Sequence, residues 1–311
     1  MLMADMSKES IFISSVVYFR ENISKATEFL NVLAEIMEEN FTNYEIILVD
    51  DCSSENITEV ILEFSRELSG SVTIVRMSYP QGIQASMNAG VDIAIGDFVY
   101  EFEQAVLDFD KSLIKETYIK ELEGYDVVSA VPTKGISSVS KAFYRIFNRG
   151  ARTMYPLNSE RFRLVSRRAI NRIEMMSDSI TYRKAFYMNS GLKCASIYYS
   201  PLNIRRNKSL PEERSKLAVD SLILFTTTAH RLSFAMTVTM MLFTVLSGGY
   251  TLAIFIMQEP VPGWTTMMML MSLAFFGVFA ILTIIIKYLS VLIELTFNKS
   301  RYIVEKVYKV N

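Results

Sequence analysis

"YEIILVDDCSSENITEV", Tyr44 to Val60, carries a run of β-branched and aromatic residues into two adjacent acids, a small polar turn and then an amphipathic stretch. A buried strand that ends in polar residues and hands over to a helix is one unit of an alternating α/β chain. The same unit recurs on either side. Strands are expected at Ile11 to Phe19, Tyr44 to Asp50, Val72 to Met77, Asp97 to Glu103 and Tyr125 to Val131. Helices are expected in "ATEFLNVLAEIMEE", "ITEVILEFSREL", "GIQASMNAGVDIAI" and "SLIKETYIKEL". This alternation predicts a Rossmann-like, mostly parallel sheet over residues 1–210, with ligands bound beyond the carboxyl ends of the strands.

The last third reads differently. "LSFAMTVTMMLFTVLSGGYTLAIFIM" (Leu232 to Met257) and "TTMMMLMSLAFFGVFAILTIII" (Thr265 to Ile286) carry no charge. A membrane span needs about 20 apolar residues, so the two runs predict a two-helix transmembrane hairpin. The connection "QEPVPGW" has no Lys or Arg, whereas the tail 287–311 holds Lys299, Arg301, Lys306 and Lys309. The positive-inside rule then places both termini in the cytoplasm of a multi-pass plasma membrane protein, with Trp264 and Tyr302 as interface anchors. Residues 211–231 fit a juxtamembrane amphipathic helix, lying on the membrane surface or packed on the soluble domain. His230, the only histidine, sits at its edge without a partner for metal or catalytic chemistry.

The chain has 311 residues, 32 basic and 33 acidic, which argues against nucleic-acid binding driven by net charge. Cys52 and Cys194 are far apart, and no secretory leader precedes them, so two plain thiols are expected. Small residues such as "SGGY" allow helix association and hence a homo-oligomer.

Asp50 and Asp51 stand at the end of the second strand, where carboxylates accept hydrogen bonds from a nucleoside base or ribose; Asp and Ser there also serve as turn formers and helix caps. A second acid group lies in "VYEFEQAVLDFD", Val99 to Asp110: Glu101, Glu103, Asp108 and Asp110. Glu101 and Glu103 share strand parity, and Asp110 precedes the next helix as a cap.

The order of these parts resembles the family 2 glycosyltransferases with a GT-A fold, and among them the bacterial polyprenyl-phosphate glycosyltransferases related to dolichol-phosphate mannose synthase. The resemblance is carried by "VVYFREN" (Val16 to Asn22), "EIILVDDCSSENI" (Glu45 to Ile57), "QGIQASMNAGVDIAIGDFV" (Gln81 to Val99), "RFRLVSRRA" (Arg161 to Ala169) and "KYLSVLIELTFNKSRYIVEKV" (Lys287 to Val307). It implies inverting transfer of a sugar from a nucleotide-sugar donor to a polyprenyl phosphate at the cytoplasmic membrane face. The alternatives are a nucleotide-sugar-binding partner without turnover and a transferase acting on a membrane-bound glycan. Within the motifs the donor-binding candidates are Tyr18, Asp50, Asp51, Gln81, Ser86 and Asn88.

The resemblance also implies Mg2+ or Mn2+ held by an Asp-x-Asp, and here the chain departs from the pattern. The two positions are Glu103 and Ala105, which leaves Glu103 as the first metal candidate, with Asp108 and Glu101 behind it. The acids could equally solvate the strand end. In "SERFRLVSRRA" the position before Phe162 holds Arg161, where members of the family it resembles often have an acid. Arg161, Arg163, Arg167 and Arg168 form a basic cluster for a phosphate; in a helix 161 and 168 would share one face, and 163 and 167 another. The segment Pro132 to Arg145 resembles a mobile acceptor loop, with Lys134 and Ser140 as phosphate contacts beside Lys141, and Asn203 to Lys216 is a second basic loop.

Overall fold

Two long runs of apolar residues, one in Glu9–Phe19 (β1) and one in Phe41–Asp50 (β2), pair in parallel at the centre of an eight-stranded sheet. Strands with both faces covered need apolar residues at nearly every position, which is what Ile46 to Val49 provide. Ser71–Met77 (β3) extends the sheet beyond β2, and Phe98–Phe102 (β4) flanks β1 on the other side, both in parallel. Next to β4 come Phe162–Ser166 (β6), antiparallel, then Val127–Pro132 (β5) and Cys194–Tyr199 (β7). Val304–Lys309 (β8) closes the opposite edge antiparallel to β3, giving the order β7-β5-β6-β4-β1-β2-β3-β8.

The computed structural model describes residues 8–20, 23–53, 68–150, 154–176, 182–202 and 302–310 without a break, and scattered positions elsewhere. All eight strands belong to the first of two compact units, which comprises Met1–Asn148, Thr153–Ser215 and Asn298–Asn311. Its described helices are Ile23–Asn40 (α1), Ile83–Ile93 (α2), Ser112–Leu122 (α3), Ser138–Gly150 (α4), Arg167–Met176 (α5) and Arg183–Asn189 (α6). Helix α2 lies close on β1 and β2: a Cβ at Gly90 would fall 2.4 Å from Val16 Cγ1 and 2.6 Å from Val49 Cγ2. Only glycine permits that approach.

The second unit comprises Arg149–Arg152 and Lys216–Phe297. Among its described positions, Met240 fits against Gly277, where a Cβ would lie 2.6 Å from the methionine. Met267, Met271, Phe275, Val278, Leu282, Ile285, Leu289 and Leu292 are exposed.

Several expectations are corrected. The sheet is the GT-A-like mixed α/β sheet, but the transmembrane hairpin does not belong to the fold class: among the described residues no helix is long and apolar enough to cross a membrane. Apolar composition alone does not fix a membrane-spanning helix. Much of both segments lies outside the described residues, as do residues 211–231, His230 and Trp264. The multi-pass plasma membrane location with cytoplasmic termini falls with the hairpin. The end of the chain is also more than a tail, since residues 304–309 pair with β3. "RFRLVSRRA" is strand β6 followed by α5, so the helical faces considered for its arginines do not apply to Arg161 and Arg163. The segment Pro132 to Arg145 is half helix: the Ser140 N–H donates to Ser137 Oγ (3.1 Å), an N-cap that starts α4 at Ser138.

Candidate active site

Strands β1, β2 and β4 end on the same side of the sheet, as parallel neighbours must, and their carboxyl ends supply the chemistry. At the end of β2 the Asp51 carboxylate accepts the Gln81 N–H at one oxygen (2.7 Å) and the Gly82 N–H at the other (3.0 Å). The Tyr18 hydroxyl donates to the same carboxylate (3.1 Å). Asp51 thereby staples β1, β2 and the turn that opens α2, where Gly82 has φ 84°, a left-handed value suited to glycine. Asp50 is fully buried. Its Oδ1 accepts the Ser53 N–H (2.8 Å), and its Oδ2 has no hydrogen-bond partner among the described residues. Burial pushes its carboxyl above the ordinary range, against the pull of the Ser53 N–H and of Arg76. Next to them, Cys52 adopts φ 56°, a backbone conformation uncommon for any residue but glycine.

The Gln81 side chain faces the end of the chain. Its Nε2 donates to the Ile303 carbonyl (2.6 Å), and its Oε1 accepts the Ile303 N–H (2.9 Å). Ser86 and Asn88 are buried on α2.

The end of β4 is built from opposite charges. Glu101 is fully buried, ion-paired with Arg163 (2.9 Å) and Arg183 (2.9 Å), and accepts the Tyr187 hydroxyl (2.6 Å). Burial alone would raise its carboxyl, but the Arg183 and Arg163 guanidiniums hold it below the usual carboxylate range. Arg163 is shared among three acids: Glu101, Glu103 and Glu160. Arg183 also donates to Asn88 Oδ1 (2.7 Å), and Lys184 lies 3.7 Å from Glu160 and over the Tyr144 ring. Three carboxylates and three cations thus balance in a dry cluster, where removing either member of one pair costs about 3–5 kcal/mol. Beside it, Asp108 holds Arg161 in a bidentate pair and accepts the Tyr199 hydroxyl (3.0 Å).

The structure therefore brings the sequence candidates into three groups. Tyr18, Asp51 and Gln81 form one, with Asp50 adjoining; Glu101, Glu103, Arg163 and Asn88 form the second; Asp108 and Arg161 form the third. Ser86 is buried, and its hydroxyl has no hydrogen-bond partner among the described residues. Lys134 is exposed and Ser140 sits in the first turn of α4; neither bonds to the three groups among the described residues. Asp110 accepts the Ser112 N–H (2.9 Å) at the start of α3. Glu160, Arg183, Lys184 and Tyr187 were not singled out from the sequence. The one local signal was Arg183 and Tyr187 at i, i+4 spacing in "YRKAFY".

A divalent cation needs open carboxylate oxygens. Here Glu101 is sealed between two guanidiniums, Glu103 is bound to Arg163, Asp108 is bound to Arg161, and Ala105 supplies no ligand. Among the described residues no three His, Cys, Asp or Glu side chains are arranged to hold a metal ion. The residues present do not fit the cation that the motif position implies.

The family model described as Glycosyl transferase family 2 matches residues 16–170, from β1 through β6 into α5. The uncharacterized glycosyltransferase YkcC of Bacillus subtilis (strain 168) is 25% identical over 293 residues, 89% of this chain and 88% of its own. The undecaprenyl-phosphate 4-deoxy-4-formamido-L-arabinose transferase of Yersinia pestis (strain Pestoides F) is 30% identical over 88 residues, 28% of this chain and 27% of its own. Among solved structures, a mannosyltransferase from Pyrobaculum calidifontis in complex with GDP-Man and Mn2+ shares 12% identity, covers 94% of this chain and 89% of its own, and has a TM-score of 0.46. With the carboxyl ends of β1, β2 and β4 and helix α2 all inside the matched region, the protein is a glycosyltransferase, and the chain belongs to glycosyl transferase family 2.

Proposed function

We propose that this protein transfers a sugar from a nucleoside-diphosphate-sugar donor to a polyprenyl phosphate, with inversion at the anomeric carbon. The observation that carries the donor half is the end of β2: a fully buried Asp50 with one unpartnered oxygen, beside an Asp51 that fixes the turn into α2. A free carboxylate oxygen held at a rigid strand end suits the N–H or hydroxyl donors of a nucleoside. Tyr18, Gln81 and Ser86 lie on the elements joined by that staple, and they frame the same end of the sheet.

The acceptor half rests on Arg161. A sugar hydroxyl must lose a proton as it attacks, which calls for a carboxylate or imidazole base. A phosphate monoester has a second pKa of about 6 and is already largely ionised at neutral pH. A chain with a guanidinium at the position before Phe162 suits the second nucleophile better than the first. The phosphate oxygen attacks the anomeric carbon, the bond to the donor diphosphate breaks on the opposite face, and the configuration inverts. The relative from Yersinia pestis is named as an undecaprenyl-phosphate transferase, which favours the same acceptor class. Lys134 and Ser140, on the segment leading into α4, are the proposed acceptor-phosphate contacts.

The test is turnover by the full chain of a panel of UDP- and GDP-sugars with undecaprenyl phosphate in detergent micelles. Labelled sugar that passes into organic solvent and is released by mild acid is the expected result. Transfer only to a glycan, or none to lipid phosphate with any donor, would overturn the acceptor reading.

A further inference from the structure

We propose that the guanidinium of Arg163 takes the place of a divalent cation in this protein, and that the donor's diphosphate binds by displacing Glu103 from it. This inference rests on the donor reading above and specifies how that donor is held.

Arg163 is 1% exposed and is surrounded by three carboxylates. Two of them cannot be replaced from outside: the Glu101 side chain is 0% exposed and Glu160 is 4% exposed. Glu103 is different, with 29% of its side chain exposed. It bonds to the Nη2 corner of the guanidinium, leaving the Nε and Nη1 corners to the two buried acids. An anion arriving from solvent therefore meets one exchangeable position on a fork that is otherwise locked. Arginine's planar fork recognises phosphate as readily as carboxylate, so one anion can replace the other without a change of geometry.

Charge points the same way. Glu101, Glu103 and Glu160 face Arg163, Arg183 and Lys184, and the cluster is balanced. A dication added to it would leave two positive charges uncompensated in a dry site, and it would first have to strip Glu103 from Arg163. When Glu103 instead swings into solvent, two carboxylates remain against three cations, and the surplus is positive where a diphosphate would sit. Arg183, pinned by Glu101, Asn88 and Tyr187, keeps Glu101 from following the displaced acid. Ala105, at the second position of the motif, supplies no carboxylate, and Asp108 beyond it is held by Arg161.

The experiment is calorimetric titration of UDP and GDP into the full chain, in EDTA and in excess Mn2+, for the wild type and Glu103→Ala, with the Mn2+ electron paramagnetic resonance signal followed in parallel. Circular dichroism confirms that the variant is folded. Expected are wild-type affinities that agree within about twofold in the two buffers, and a free Mn2+ signal that protein lowers no further than nucleotide alone lowers it. Glu103→Ala should bind nucleotide in EDTA more tightly, by about tenfold, because the competing carboxylate is gone. A metal-ligand role for Glu103 predicts no such gain in EDTA and weaker binding by the variant in Mn2+. Tighter wild-type binding in Mn2+ by tenfold or more, or weaker or unchanged binding by Glu103→Ala, would overturn the inference while leaving the donor reading intact. No binding of UDP, GDP, ADP, CDP or dTDP in either buffer would overturn the donor reading itself, and this inference with it.

Discussion

The ends of β2 and β4 each present acidic side chains on the same side of one sheet, yet they are neutralised by different means. At β2 the partners are mostly neutral: backbone N–H groups of Ser53, Gln81 and Gly82 and the hydroxyl of Tyr18. These donors orient the carboxylates and leave their negative charge in place. At β4 the partners are guanidiniums, which orient and cancel at once. An acidic motif read from sequence says nothing about which of the two it will meet. The same residue type is a free acceptor at one strand end and half of a sealed ion pair at the other.

The largest test of this contrast is Arg183→Met. It removes the cation that grips Glu101, Asn88 and Tyr187, and it leaves a fully buried carboxylate with Arg163 as its one cation and the Tyr187 hydroxyl as its donor. A loss of about 3–5 kcal/mol in urea denaturation is expected. Loss under about 1 kcal/mol would mean that Arg163 suffices and that the cluster is not a balanced unit. Asp51→Ala comes next. It deletes two charge-assisted bonds to backbone N–H groups and one from Tyr18, so a loss of about 2–4 kcal/mol is expected. Because those bonds shape the turn into α2, nucleotide affinity should fall more than stability alone would predict. Asp51→Asn, which keeps the shape but cannot accept at both oxygens in the same way, should lie between.

The same contrast explains what was legible in the sequence. Strands β1 to β5 announce themselves through local runs of apolar residues, and their ends mark the site. Strand β6 was hidden by Arg163 in its middle, since a charged residue at a buried strand position makes sense only once Glu101 from β4 is beside it. Strands β7 and β8 are short and partly exposed, and β8 pairs with residues more than two hundred positions earlier. No local pattern encodes that. The network of Glu101, Glu160, Arg163, Arg183 and Lys184 is assembled from four separate elements and loops, so its members read individually as solvated charges. Apolar composition misled in the other direction: the uncharged runs in 232–257 and 265–286 suggested spans that no helix among the described residues forms.

Glu121 on α3 supplies a third case, a buried carboxyl with neither amide nor guanidinium. It is 3% exposed, and neither carboxyl oxygen has a hydrogen-bond partner among the described residues. Burial, reinforced by the negative charge of Asp126, pushes its pKa to about 9 from an ordinary 4.5. Asp126 itself accepts the Ser166 hydroxyl and pairs with Arg168. Below the ordinary value the group is protonated folded or unfolded, and it carries no penalty. As pH rises through 4.5 the unfolded chain releases the proton while the folded chain retains it. Stability therefore falls with rising pH across the window between 4.5 and about 9, and above it the penalty stays at its maximum. Glu121→Met keeps the unbranched shape and removes both oxygens, so it should stabilise the protein by about 1–3 kcal/mol at pH 7. The gain should be smaller at pH 5 and larger at pH 8.5, read from urea midpoints at the three values. A gain that does not grow with pH would show that Glu121 has an ionised partner after all, and that the two means of neutralisation at β2 and β4 also extend to this helix.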